Sequence, residues 1–150
     1  MDVGRGLSDT LTVLENKTRA KSVDVRLETA DRLPGVYGFG GEINQVWQKL
    51  IDNALDAVGT GGKVTVTATS RGDDVIVRVE DNGPGIPDDN ISRVFDPFFT
   101  TKPVGSGTGL GLDFARRIVQ RHHGDIDVKS QPGRTVFRVR LPISGARGMR

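Results

Sequence analysis

The sequence predicts one compact domain that combines α-helices with β-strands, and three observations carry that expectation. From Glu42 to Val58 the apolar residues Ile43, Val46, Trp47, Leu50, Ile51, Ala54, Leu55 and Val58 recur at i, i+3, i+4 and i+7, the mark of a helix with one buried face. Val64, Val66 and Ala68 alternate with threonines, and Val75, Val77 and Val79 alternate with Ile76, Arg78 and Glu80. With the Arg71-Gly72-Asp73 turn between them, these two runs read as an antiparallel hairpin. The length, 150 residues, suits one domain with a real core.

The remaining elements follow in order. From Asp2 to about Arg19, Val3, Leu7, Leu11 and Leu14 fall at helical spacing, with Asp2 placed to cap and Gly4 and Gly6 weakening the first turn. Val23, Val25 and Leu27 alternate with Asp24, Arg26 and Glu28, which predicts a strand with one buried face. A turn at Leu33-Pro34-Gly35 leads through a short apolar piece, Val36 to Phe39, into the long helix. Beyond the hairpin, Asp88 to Val94 reads as a short helix. Phe95 to Gly107 is a long glycine-rich connection of the kind that forms a functional lid, and at least one of Phe95, Phe98 and Phe99 is expected to pin it to the core. The next helix runs from the glycines to about His123, with Leu112, Ala115, Ile118, Val119 and His122 on one side and Gly124 as its stop. His122 and His123, in its last turn, are read as structural, interacting with the helix dipole. Ile126 and Val128 mark a strand and Gln131-Pro132-Gly133 a turn, while Thr135, Phe137, Val139 and Leu141 form one face of a final strand. From about Ile143 the chain reads as a tail.

Composition excludes several classes. Without cysteine there is no disulfide and no thiolate nucleophile or metal ligand, which fits a reducing, cytoplasmic setting. No apolar run approaches a membrane span and no signal-peptide pattern opens the chain, so no membrane contact is expected of this segment. The net charge is +2 and the few aromatics do not interleave with the basic residues, so no nucleic-acid surface is expected.

The chemistry concentrates between Asp81 and Leu112. Gly83 and Gly85 let the backbone come close to a flat ligand, and Asp81, at the end of a strand, offers an acceptor to an exocyclic amine from rigid scaffold. Gly105, Gly107, Gly109 and Gly111 recur at every second position ahead of a helix start, where orphan N–H groups and the dipole favour a polyphosphate. Adenine at one end and phosphates at the other is the reading of that stretch. On the long helix, Lys49, Asn53 and Asp56 form one row at the edge of the apolar face, which reads either as a solvated flank or, beside the nucleotide loops, as a row that points Asn53 at a metal or a phosphate.

Four segments, in order, resemble the boxes of the catalytic and ATP-binding domain of bacterial sensor histidine kinases. They are Gln45–Val58 (QVWQKLIDNALDAV), Asp81–Pro87 (DNGPGIP), Val94–Lys102 (VFDPFFTTK) and Gly105–Leu112 (GSGTGLGL). The wider superfamily also holds gyrase, the ninety-kilodalton heat-shock chaperones and MutL. The resemblance implies an α/β two-layer sandwich of the Bergerat type: a mixed, mainly antiparallel sheet with helices on one face, spanning residues 1–143 and leaving 144–150 as a tail. It implies ATP and Mg²⁺ as cofactors, with Asn53 as the metal ligand and Asn53 and Lys102 as the catalytic pair. By motif position the nucleotide would also meet Asp56, Asp81, Gly83, Gly85, Ile86, Phe95, Phe98, Thr101, Gly105, Gly107, Thr108, Gly109, Leu110 and Gly111. The implied reaction is transfer of the γ-phosphate to a histidine on a separate dimerisation domain of the same kinase, with a response regulator downstream.

Two departures accompany the resemblance. Where the family commonly has asparagine four residues before the metal ligand, this sequence has Lys49, and a protonated lysine offers only donors. The family's acceptor segment, a histidine followed by an acidic residue, does not occur here, so the chain is expected to be part of a longer kinase, which in the cell could sit on the cytoplasmic side of a membrane-bound sensor. Two further readings follow from the same residues: a stand-alone kinase of this fold acting on serine, and a nucleotide-binding regulatory module with little turnover, motivated by Lys49.

Overall fold

The computed structural model describes residues 2–31, 33–36, 38, 40–96 and 111–143. Asp2 caps the first helix, its Oδ1 accepting from the Arg5 N–H at 3.1 Å. That helix, α1 (Val3–Val13), ends where Leu14 takes φ −92° and ψ 7°, and α2 (Glu15–Ala20) follows. The single helix expected from Asp2 to Arg19 is therefore two. In the last turns of α1 the Thr10 and Thr12 hydroxyls each donate to the carbonyl four residues back, an arrangement that bends and weakens a helix.

Strand β1 (Asp24–Thr29) leads to α3 (Gly40–Ala57), the longest helix, and α3 returns the chain to β2 (Lys63–Arg71), which runs parallel to β1. Such a parallel pair requires a crossover of this kind. The predicted hairpin forms between β2 and β3 (Asp74–Asp81), its turn closed by Gly72 at φ +60°. A short helix α4 (Asp88–Ile91), helix α5 (Gly111–Arg121) and a second hairpin, β4 (Asp125–Gln131) with β5 (Arg134–Pro142), complete the chain.

The sheet order is β1-β2-β3-β5-β4, antiparallel except for β1 with β2, so the expected mixed, mainly antiparallel sheet is what forms. Alternation sends Val64, Val66, Ala68, Val75, Val77, Val79, Phe137, Val139 and Leu141 to one face, where they pack with the apolar stripes of α1, α3 and α5. All helical contributions to the core come from that side, so the architecture has two layers. Gly6 also lets α1 lie close against α3: a Cβ there would collide with the side chain of Asn44. Lys21 donates to the carbonyls of Leu55 and Val58, at 2.8 Å for Val58, and so caps the end of α3 with a cation.

The end of α5 differs in detail from expectation. The left-handed residue is His123 (φ +64°), not Gly124. The Gly124 N–H reaches the Val119 carbonyl at 3.0 Å and the His123 N–H the Gln120 carbonyl at 3.0 Å, the paired bonds of a Schellman cap. Gly124 is needed for space, because a Cβ would strike the Arg140 carbonyl. His122 is buried with Nδ1 2.8 Å from the Ile118 carbonyl, a structural position as its sequence context suggests. Val36 bridges to Ile143, the last described residue. Among the described residues no helix is long and apolar enough to cross a membrane.

Candidate nucleotide site

Asp81 is the last residue of β3 and points into the core side of the sheet, opposite Val64 on β2 and Thr135 on β5. It is only 3% exposed. Burial pushes its carboxyl above the ordinary value; the Gly83 N–H, donating to Oδ1 at 2.9 Å, pulls it partly back, and neighbouring Glu80 adds to the rise. A carboxylate held so nearly dry is a strong acceptor for any donor that enters.

The segment after Asp81 is clamped on three sides. The Asn82 side chain accepts from the Lys63 N–H at 2.9 Å, fastening the loop to the start of β2. Gly83 abuts the last turn of α3, where a Cβ would lie 2.7 Å from the Ala57 carbonyl oxygen. Gly85 takes φ +91° and leaves no room for a side chain against the Gln131 carbonyl, 2.5 Å from a Cβ. The Ile86 N–H donates to Ser130 Oγ at 2.7 Å, and Ser130 Oγ lies 2.7 Å from Thr135 Oγ1. This hydroxyl pair was not anticipated from the sequence. The signal was present in Thr135, the one polar member of the inward set Thr135, Phe137, Val139 and Leu141.

On α3, Asn53 stands half-buried one turn before Ala57, so the Asp81–Gly83 segment and the Asn53 row meet at the same end of that helix. Lys49 is exposed one turn further back. Asp56 pairs with Lys17 of α2, and Lys17 also reaches Asp52 at 2.6 Å. Two carboxylates on successive turns are thus bound by one ammonium, which holds α2 to α3. No local pattern announced that link, because its members lie 35 residues apart in sequence.

Phe95 is half-buried, edge-on to Phe137 at 6.1 Å with the Arg116 guanidinium 5.8 Å from its centroid. It anchors the segment leaving α4 to both the sheet and α5, as expected of it. Gly111 opens α5, with Asp113 in the first turn. Phe98, Thr101, Lys102, Gly105, Gly107, Thr108, Gly109 and Leu110 lie outside the described residues. Among the described residues no cluster of three or more His, Asp or Glu could hold a metal by itself.

Residues 40–145 match the family described as histidine kinase-, DNA gyrase B-, and HSP90-like ATPase. The alginate biosynthesis sensor protein KinB of Pseudomonas aeruginosa is 39% identical over 128 residues, covering 85% of this chain and 22% of KinB. The catalytic domain of histidine kinase ThkA superposes with a TM-score of 0.84 at 33% identity, covering 93% of this chain and 92% of that domain. A structure of ThkA in complex with the response regulator protein TrrA gives 0.82 at 29% identity, over 96% of this chain and 41% of ThkA. The chain thus spans about a fifth of the length of KinB and most of an isolated catalytic domain.

Proposed function

The chain belongs to the histidine kinase-, DNA gyrase B- and HSP90-like ATPase family, and from that premise we propose that it binds Mg²⁺-ATP and transfers the γ-phosphate to a histidine on a separate dimerisation domain of the same kinase, upstream of a response regulator. The observation that carries this reading is the dry Asp81 carboxylate at the head of a loop whose glycines, Gly83 and Gly85, let the backbone pack directly on the Ala57 and Gln131 carbonyls.

In this reading Asp81 accepts from the adenine amino group, while the Gly83–Ile86 segment, clamped by Ala57, Gln131 and Ser130, shapes the slot for the ring. Asn53 holds the metal that neutralises phosphate charge. Lys102 and the N–H groups from Gly105 to Gly111 meet the phosphates at the start of α5, and Phe95 and Phe98 anchor the covering segment. Phosphoryl transfer breaks the bond to the ADP oxygen and forms one to an imidazole nitrogen. The protein has only to align these atoms and hold donors against the developing charge. The naming of the relatives as sensor and histidine kinases favours a histidine acceptor over serine and over a module without turnover.

The test has two stages. Calorimetric titration with a non-hydrolysable ATP analogue is expected to show binding that Mg²⁺ strengthens. Radiolabelled γ-phosphate is then expected on the histidine of a dimerisation domain supplied in trans; absence of label there, with binding intact, would overturn the transfer step alone.

A further inference from the structure

The face of the sheet opposite the helices carries a groove of about 480 Å³ bordered by Arg71, Arg78, Lys129, Arg134 and Arg138, with Asp127 as the one acidic residue among its lining. These side chains come from four adjacent strands, all at positions that alternate away from the core. Arg78 on β3 stands directly opposite Arg138 on β5, a like-charge cross-strand pair that works against folding. Elsewhere on this face Arg134 meets Glu80 at 2.9 Å and Arg140 is held by both Asp74 and Asp125, while Lys63 stands outside the groove at the start of β2. Arg138 reaches Asp127 at 3.2 Å. Among the described residues, Arg71, Arg78 and Lys129 have no carboxylate within ion-pair distance, and they line the same groove.

Unpaired cations run diagonally across the groove, from Arg71 at the end of β2 through Arg78 on β3 to Lys129 on the outer strand β4, and this line of charge points to an anion from outside the domain. Positions 97–110 and 144–150 do not supply it, because they contain no aspartate or glutamate and add Lys102, Arg147 and Arg150. We propose that this face docks an acidic segment of a partner protein, whose carboxylates pair with Arg71, Arg78 and Lys129 and bridge the Arg78–Arg138 pair. Four of the five cations are arginines, whose planar forks bind carboxylates in bidentate fashion. No outward position of the five strands is aromatic, so the face has no platform for stacking bases. Asp74, Glu80, Asp125 and Asp127 border the cationic centre. A continuous phosphate backbone or an anionic membrane would have to lie across those carboxylates, whereas a protein segment can place its acids only where cations wait.

The proposal is independent of the nucleotide site, and its test keeps the two apart. Amide chemical shifts of the chain, saturated with a non-hydrolysable ATP analogue, are followed during titration with a ten-residue peptide of alternating glutamate and serine. Saturable shifts are expected in β3, β4 and β5 around Arg78, Lys129 and Arg138, weakening as salt rises. Arg78→Glu is expected to lower the peptide affinity at least about tenfold, and Arg78→Ser, freed of the pair with Arg138, to melt at a higher temperature than the unaltered chain. Shifts that fall elsewhere, an affinity unmoved by Arg78→Glu, or tighter binding of a thymidine decanucleotide or of phosphatidylserine vesicles at the same amides would overturn it.

Discussion

Gly83 lies so close to the end of α3 that a Cβ on it would sit 2.7 Å from the carbonyl oxygen of Ala57. The obstacle is backbone, which cannot swing aside as a side chain could. Gly83→Ala is therefore expected to push the Asp81 loop off α3, at a cost of about 1–3 kcal/mol in stability. Affinity for an ATP analogue should fall at least about tenfold, since in the proposed reading the displaced loop is the one that shapes the adenine slot. Urea denaturation and calorimetry read the two effects separately.

Asp81 offers a trade between stability and binding. Its folded pKa is raised, so the native state holds the proton more tightly than the unfolded chain does, and stability falls as pH climbs from the ordinary value of 3.8 through the folded one. Above that window the whole cost of the buried charge is present. Asp81→Asn keeps the acceptor for the Gly83 N–H and removes the charge, so it is expected to melt higher than the unaltered chain at pH 7. The gap should close as the pH is brought down to the acid side of the window. The same variant is expected to lose most of its affinity for adenine nucleotides while gaining relative affinity for rings that present an acceptor at that position. Differential scanning calorimetry across pH and a nucleotide panel check both halves.

Lys17 ties α2 to α3 through Asp52 and Asp56. Burial lowers its pKa, but the bonds and charges of the two aspartates outweigh that, so its net shift is upward. Its stabilising contribution is complete below the ordinary lysine value of 10.5 and is lost as pH rises through the folded value. The side chain is a third exposed, so solvent screening keeps the effect small. Lys17→Met is expected to cost about 0.5–1 kcal/mol at low salt, less at high salt. Chemical denaturation at two ionic strengths would show it.

Lys49 is exposed on α3, one turn from Asn53, and restoring asparagine there disturbs no packing. Lys49→Asn is expected to leave the melting temperature unchanged and to raise the rate of phosphoryl transfer to an acceptor domain by about tenfold or more, the scale of adding one aligned polar group to such a site. An unchanged rate would show that the lysine does not limit transfer.

The sequence revealed most clearly what depends on short-range pattern. The α3 stripe, the β2–β3 hairpin, Asp81 at a strand end and Phe95 as an anchor all rest on alternation, helical period or glycine spacing, and all stand where those patterns put them. What it concealed involves distant partners. Nothing in residues 2–19 declared that Gly6 would receive Asn44 or that Lys17 would find two carboxylates on another helix. The left-handed turn ending α5 falls on His123 because Gly124 is held against the Arg140 carbonyl, a constraint set by a strand that comes later in the chain. The basic groove is similar: alternation assigns its residues to the outward face, but only the register of β3 against β5 sets Arg78 beside Arg138.

The two outer strands, β1 and β4, bear their charges on the solvent side: Asp24, Arg26 and Glu28 on one, Asp125, Asp127 and Lys129 on the other. A second sheet arriving edge-on would have to desolvate these side chains and would meet mixed charge in every register. The apolar residues between them, Val25 and Leu27 on β1 and Ile126 and Val128 on β4, turn inward and are half-buried. Both borders of the sheet are thereby poor templates for strand addition, and copies of the domain held side by side at high local concentration can stay separate sheets instead of growing into one another.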